Sequence, residues 1–222
     1  SQRPPLPLDA PILKAGLAAL FPTTREQPNW QKIAAFTAVR RPLSVITGGP
    51  GTGKTWTIAR VLALLLEQPG SENLQVRLAA PTGKGAARLQ ETLAASVESL
   101  DCSASVKTRL QARDLSATLH RLLGPIPHSS RFRHNQERPL PVDVLVIDEA
   151  SMVSLALMAK LLAAYPHANT RLLLVGDKDQ LPPVDPGGVF GDICRAAAIN
   201  QFSQATCRAY EECTGEILET NH

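Results

Sequence analysis

Aromatic side chains are scarce in this sequence: five Phe, two Trp and two Tyr make up 4% of 222 residues. A core must therefore be built mainly from Leu, Ala, Val and Ile. The 44% hydrophobic and 19% charged content predicts such a core and argues against disorder. Cysteine is sparse too. Cys102, Cys194, Cys207 and Cys213 form no C-x-x-C pair and no metal-like spacing with His, which fits free thiols in a reducing cytoplasm. No apolar run reaches the roughly 18 residues of a membrane span, so no membrane partner is expected. The start, SQRPPLPLDAP, lacks the apolar stretch behind a charged one that makes a signal peptide. It also lacks an initiator Met, and the chain is expected to be a processed product or a piece of something longer. A strong excess of one charge is missing as well, with a net charge of +3. Its distribution is uneven: Lys107, Arg109, Arg113, Arg121, Arg131, Arg133 and Arg138 face only Asp114 and Glu137 between positions 107 and 138. That basic stretch is either a solvated face or a surface for polyanions.

What is present is an alternation. Pro4, Pro5, Pro7 and Pro11 mark an extended linker, and helices are expected at Ile12–Leu20 and Trp30–Val39. Strands are expected at Leu43–Thr47, Val76–Ala80, Val142–Ile147 and Arg171–Val175. Between and after them come helical runs at Thr55–Glu67, from about Lys84 to Val97, and from about Leu155 to Ala164. Strands alternating with helices predict an α/β fold, a mostly parallel sheet with helices on both faces. Ligands of such sheets bind at the carboxyl ends of strands. Gly124–Pro141, rich in Pro, Ser, His and Arg, breaks the rhythm, and residues 196–222 carry no strong pattern.

Three motifs fall just after expected strands. In Gly48, Gly49, Pro50, Gly51, Thr52, Gly53, Lys54 and Thr55, backbone N–H groups and a following helix N-terminus suit phosphate. Lys54 can reach the β- and γ-phosphates of ATP, and the Thr55 hydroxyl can ligate Mg²⁺. Asp148 and Glu149 follow VLVI. Asp148 can hold the metal's water shell, and Glu149 can orient and deprotonate an attacking water. An acidic pair followed by Ser also suits an ordinary helix start. The stretch Gly176–Val184 is either a plain polar turn or a loop whose Gln180 contacts the γ-phosphate or the water.

In order, GGPGTGKT, LAAPTGKGAARL, ATLHRLLG, VLVIDEASM and GDKDQLPPV resemble motifs I, Ia, Ib, II and III of superfamily 1 DNA helicases, in the form of the 5′→3′ branch, superfamily 1B. Within that branch the chain is most similar to the RecD family, from about Asn29 to Arg195. The resemblance implies a RecA-like P-loop NTPase domain with a small inserted hairpin. It implies ATP and Mg²⁺ as cofactors, single-stranded DNA as partner, and RecB-like and RecC-like subunits beside it. Lys54, Glu149 and Gln180 are the implied catalytic residues, Thr55 and Asp148 the metal residues, and Gln31 the reader of adenine. Pro81, Thr82 and Lys84 match motif Ia, and Thr118 and His120 match motif Ib, both strand-contacting loops in the family. Residues 124–141 occupy the place of the family's 1B pin, and Phe132 and Arg133 there combine a stackable ring with cations. The implied organisation is a linker with a short helix over 1–25 and motor domain 1A over 26–222, with 124–141 as a possible 1B insertion.

Two departures stand out. Such helicases close the ATP site with a second RecA-like domain (2A) that supplies arginine fingers, worth ~10³–10⁵ in rate in related systems. No helicase-like second half follows motif III here, so the chain by itself is expected to bind nucleotide, hydrolyse it poorly and not unwind DNA. Trp56 follows the Lys-Thr pair where a smaller residue is commoner. Two rival readings share the phosphate loop: an ATPase acting on proteins or small molecules, and a nucleotide-gated docking module.

Overall fold

The computed structural model describes residues 7–22, 28–166, 170–180, 188–197 and 200–219. Five strands form one sheet: β1 (Leu43–Thr47), β2 (Val76–Ala80), β3 (Ser116–Thr118), β4 (Val144–Ile147) and β5 (Arg171–Gly176). Their order across the sheet is β1-β5-β4-β2-β3, and every pairing is parallel. All carboxyl ends therefore lie on one edge, where the expected motifs follow.

The pleat sorts the strand side chains onto two faces. Val76, Leu78, Val144, Val146, Leu173 and Val175 enter one core. Their alternating neighbours Ala79, Leu145, Ile147, Leu172 and Leu174 enter the other. The first core is covered by α1 (Ala10–Leu20), α2 (Trp30–Arg40), α3 (Lys54–Leu66), α4 (Gly83–Glu98), α5 (Ala104–Leu110) and α9 (Gln204–Thr214). The second is covered by α6 (Leu119–Leu123), α7 (Leu155–Ala164) and α8 (Val189–Ala196). Helix α3 buries residues all round from Thr57 to Leu66, as a helix sandwiched between a sheet and other helices must.

The helix of the first 25 residues is part of this body. Asp9 caps α1 by accepting from the Ile12 N–H (2.9 Å), and Leu13, Leu17 and Leu20 are buried at helical spacing. The buried Arg60 fastens its end: Nε donates to Leu20 O (2.8 Å), and the guanidinium lies 3.2 Å from the centre of the Trp56 ring. Phe21 meets Trp56 edge-on at 5.4 Å. Trp56 is thereby accounted for: its ring packs against α1, on the core side of α3. Burial draws the Arg60 pKa down to about 10, so it remains charged at neutral pH.

Helices α5, α6 and α8 arise where no helix is expected, and three further elements also differ. Val142 and Asp143 precede β4, with the Asp143 and Val144 N–H groups both donating to Gln75 O (2.8 and 3.1 Å). β3 has three residues, too few for a period to show. α9 arises in the stretch that carries no strong pattern, because its buried stripe is Cys207 and Tyr210 rather than Leu or Ile. Behind α9, Lys32 of α2 pairs with Glu216 at 2.6 Å, and Tyr210 Oη donates to the other Glu216 oxygen at 2.7 Å. Burial pushes the Tyr210 pKa up, and the Glu216 carboxylate adds to that.

Burial alone would raise the Glu216 pKa, but the hydrogen bonds from Lys32 and Tyr210 outweigh it and leave the pKa below its ordinary value. A depressed folded pKa means stability present above the unfolded value and lost as pH falls through the folded one. Glu216→Gln should therefore lower stability by about 1 kcal/mol at pH 7. In urea unfolding the gap to wild type should close as pH falls through the carboxylate range. A gap that is constant with pH would show that the charge contributes nothing.

Candidate nucleotide site

The loop from Gly48 to Thr55 leaves β1 and enters α3. It is closed by its own side chains: Thr52 Oγ1 donates to Gly49 O (2.9 Å), and Lys54 Nζ donates to Gly48 O (2.6 Å) and Gly49 O (2.9 Å). The ammonium thus sits inside the loop's curve, where an incoming phosphate would compete for it. Gly53 precedes α3 with φ 81°, and a Cβ there would lie 2.5 Å from Gln31 Nε2. The positive φ favours glycine here, and a side chain would also displace the Gln31 amide. Gln31, in the first turn of α2, donates from that same nitrogen to Thr52 O (2.9 Å), which fastens α2 to the phosphate loop.

Asp148 follows β4, its N–H donating to Ala79 O (2.8 Å), so β2 holds it in line with the strand. Burial raises its carboxyl pKa. The Glu149 N–H, which donates to Asp148 Oδ1 at 2.9 Å, and the charges of Lys54 and Arg88 pull the other way. A desolvated carboxylate beside a phosphate loop is completed by a cation. Among the described residues no group of three or more His, Cys, Asp or Glu could hold a metal unaided. This donor set fits Mg²⁺, which is bound by one or two carboxylates together with phosphates and water.

Glu149 adopts φ 52° and ψ 35°, a left-handed conformation uncommon for Glu. The turn brings its carboxylate to the first turn of α4. A Cβ on Gly85 would lie 2.6 Å from Glu149 Oε2 and 3.0 Å from Thr82 Oγ1. On the other side Gln180, after β5, accepts from Ser151 Oγ at 2.6 Å. β5 is tied to the phosphate loop through Gly48 N to Gly176 O (3.2 Å) and Lys178 N to Thr47 Oγ1 (3.0 Å). The structure thus brings Lys54, Asp148, Glu149 and Gln180 to the edge formed by β1, β5 and β4. Residues 181–184 of the third motif lie outside the described residues.

The residues of motifs Ia and Ib lie farther along the same edge, after β2 and β3. Thr82 caps α4, accepting from the Gly85 N–H (3.0 Å), and Thr82 and Lys84 are exposed. Thr118 caps α6, and His120 is exposed in that helix's first turn. The segment 124–141 holds one isolated antiparallel bridge, Pro125 to Phe132. Arg133 N donates to Gly124 O (2.8 Å), and the Arg133 side chain lies across Gly124. Pro125 and Pro127 lack the N–H groups a longer ladder needs. Phe132 is half-buried, 5.7 Å from the His120 ring with Lys160 Nζ 5.6 Å from its centre, so part of its surface is already engaged.

Three residues that matter here escape a reading of the sequence: Arg88, Gly85 and Ser151. Arg88 had a signal, since it stands four residues after Lys84 and shares its helix face. Gly85 and Ser151 stand within the quoted motifs, but the partners that give them a part here, Glu149 and Gln180, come from other segments.

The AAA domain family matches residues 31–186, most of the chain. The chain belongs to the AAA domain family. It is similar to the RecBCD enzyme subunit RecD of Mycolicibacterium smegmatis, 52% identical over 167 residues, covering 73% of this chain and 29% of that protein. The corresponding RecD subunit of Haemophilus influenzae is 42% identical over 183 residues, covering 81% and 28%. The ATP-dependent RecD2 DNA helicase of Deinococcus radiodurans is 44% identical over 162 residues, covering 73% and 19%. The resemblance to RecD carried by five motifs is borne out, and this AAA domain spans less than a third of each of these relatives. A nucleotide-binding domain follows from the family and its phosphate loop. Among the described residues no helix of this AAA domain is long and apolar enough to cross a membrane.

Proposed function

We propose that this chain is the ATP-binding motor domain 1A of a 5′→3′ single-stranded-DNA helicase that acts in DNA end processing, double-strand break repair and recombination, in the cytoplasm, beside RecB-like and RecC-like subunits. The observation that carries the reading is the shared edge: phosphate loop, acidic pair and Gln180 at the ends of β1, β4 and β5, with exposed Thr82, Lys84 and His120 beyond β2 and β3. One side of the sheet edge takes nucleotide and the other takes DNA, with Glu149 between them.

Lys54 and the loop N–H groups bind the β- and γ-phosphates, and Gln31 reads adenine. Thr55 and Asp148 would hold Mg²⁺, which when bound neutralises phosphate charge. Glu149 orients the attacking water and takes its proton. Gln180 answers to the γ-phosphate. Pro81, Thr82, Lys84, Thr118 and His120 contact the strand's phosphates, and Phe132 and Arg133 lie at the rim of its path, so binding is sequence-tolerant and salt-sensitive. A second RecA-like domain closes the site and supplies arginines. Calorimetry tests the reading: this chain should bind Mg·ATP at one site and bind it more tightly with oligo-dT. No heat with nucleotide would overturn it, and nucleotide binding without any oligo-dT binding would favour an ATPase of another class.

Gly85→Ala makes a sharper test. The atom nearest a new Cβ is the end of a flexible side chain, and Thr82 Oγ1 at 3.0 Å and Ala80 Cβ at 3.2 Å need give by only a few tenths of an ångström, so folding should survive. That atom is also the carboxylate oxygen proposed to activate water. DNA-stimulated hydrolysis by the full-length protein should fall roughly ten- to a hundredfold, with nucleotide affinity unchanged. Wild-type turnover in the variant would show that the place of Glu149 beside α4 is immaterial.

A further inference from the structure

We infer that Ser151 is the positioning residue for Gln180, holding its amide with the NH₂ end toward the γ-phosphate. The inference rests on the helicase reading, which puts the γ-phosphate at Gln180. Ser151 lies in the 3₁₀ turn Ala150–Met152, two residues beyond Glu149, and is buried at 7% exposure. Its hydroxyl donates to Gln180 Oε1 at 2.6 Å. Gln180 itself is exposed, on the loop after β5.

The two segments can meet because β5 ends in Gly176. A Cβ there would lie 3.0 Å from Ser151 N and 3.0 Å from the Phe190 ring, so any larger residue would push the turn away from the loop. The direction of the hydrogen bond is what matters. A primary amide has one accepting end and one donating end, and a hydroxyl can donate its single proton or accept; here it donates to Oε1. With that proton given to Oε1, the NH₂ is the end left to face the site. Phosphate oxygens only accept, so they need the NH₂. A flipped amide would present oxygen to oxygen. The γ-phosphate selects the orientation with the NH₂ outward, and the Ser151 hydroxyl completes it by donating to Oε1; without that hydroxyl the amide has no tether to the turn and spends part of its time away from the γ-phosphate. Ser151 also joins the loop of Gln180 to the turn that carries Asp148 and Glu149, so the residue that senses phosphate and the residues that bind metal and water shift as a unit.

The test is DNA-stimulated ATP hydrolysis by the full-length protein as wild type, Ser151→Ala, Gln180→Ala and the double variant, with Lys54→Ala as a control. Ser151→Ala should lower kcat on the order of tenfold, the effect of one hydrogen bond to a reacting group, with little change in KM for ATP. In the Gln180→Ala background the same substitution should have no further effect, since the partner through which it acts is gone. Wild-type kcat in Ser151→Ala overturns the proposal. So does an equal loss in both backgrounds, which would make Ser151 a structural residue independent of Gln180. The control separates this from the underlying reading: activity retained by Lys54→Ala sinks the phosphate-loop assignment whatever Ser151 does.

Discussion

Lys54→Ala should abolish ATP-driven work by the full-length protein, with ATP hydrolysis reduced at least about 10²-fold, the usual cost of removing one preorganised charge-stabilising donor. The reason is visible in the loop. The ammonium is held at 2.6 and 2.9 Å by the carbonyls of Gly48 and Gly49, inside the curve of the loop. A phosphate in the loop would take over its hydrogen bonds, and alanine offers no substitute charge. The two carbonyls lose a donor but remain in reach of water, so the fold should hold, and circular dichroism can establish that first. Calorimetry should show weaker nucleotide binding as well, because the lysine acts on phosphates in both the ground and transition states. Hydrolysis within twofold of wild type would exclude Gly48–Thr55 as the phosphate site.

Glu149→Gln should separate binding from chemistry. The amide keeps the size and hydrogen-bonding reach of the carboxylate but cannot take a proton, so hydrolysis should fall about 10²–10⁴-fold while nucleotide affinity stays near wild type. Backbone strain does not confuse the comparison: φ at this position is 52°, and Gln bears it about as well as Glu. Asp148 offers the contrast. It is the desolvated member of the pair, its pKa raised by burial, and it faces Lys54 and Arg88. Asp148→Asn should weaken Mg²⁺-dependent nucleotide binding itself. If Glu149→Gln lost binding to the same degree as Asp148→Asn, Glu149 would be a structural acid of the turn rather than the group that activates water.

Much of this molecule was legible before any coordinates. β1 and β2 lie at the expected residues, and β4, β5 and the helices α1 to α4 differ by a residue or two at their ends. Each carries an uninterrupted apolar pattern that burial on one or both faces demands. The site's nucleotide half was equally legible, since a phosphate loop is a local object: its glycines, Lys54 and Thr55 are contiguous and act through their own backbone. Elements whose stability comes from elsewhere were not legible. β3 has three residues and exists because β2 offers it a free edge, and α9 is fixed by Tyr210 against Phe36 and Glu216 rather than by its own pattern.

The sequence by itself determined the chemistry available here: a lysine and hydroxyl on a phosphate loop, an acidic pair after an apolar strand, a glutamine after another. It also determined that the strands alternate with helices and so run parallel. Only the tertiary structure decided how those groups face one another. The strand order β1-β5-β4-β2-β3 interleaves segments more than 100 residues apart, so it alone sets Gln180 against Ser151, Glu149 against Gly85 and Arg88 near Asp148. Local sequence specifies a backbone's conformation through near-neighbour sterics and hydrogen bonds, whereas these pairings depend on which strands share an edge, a property of the packed sheet as a whole.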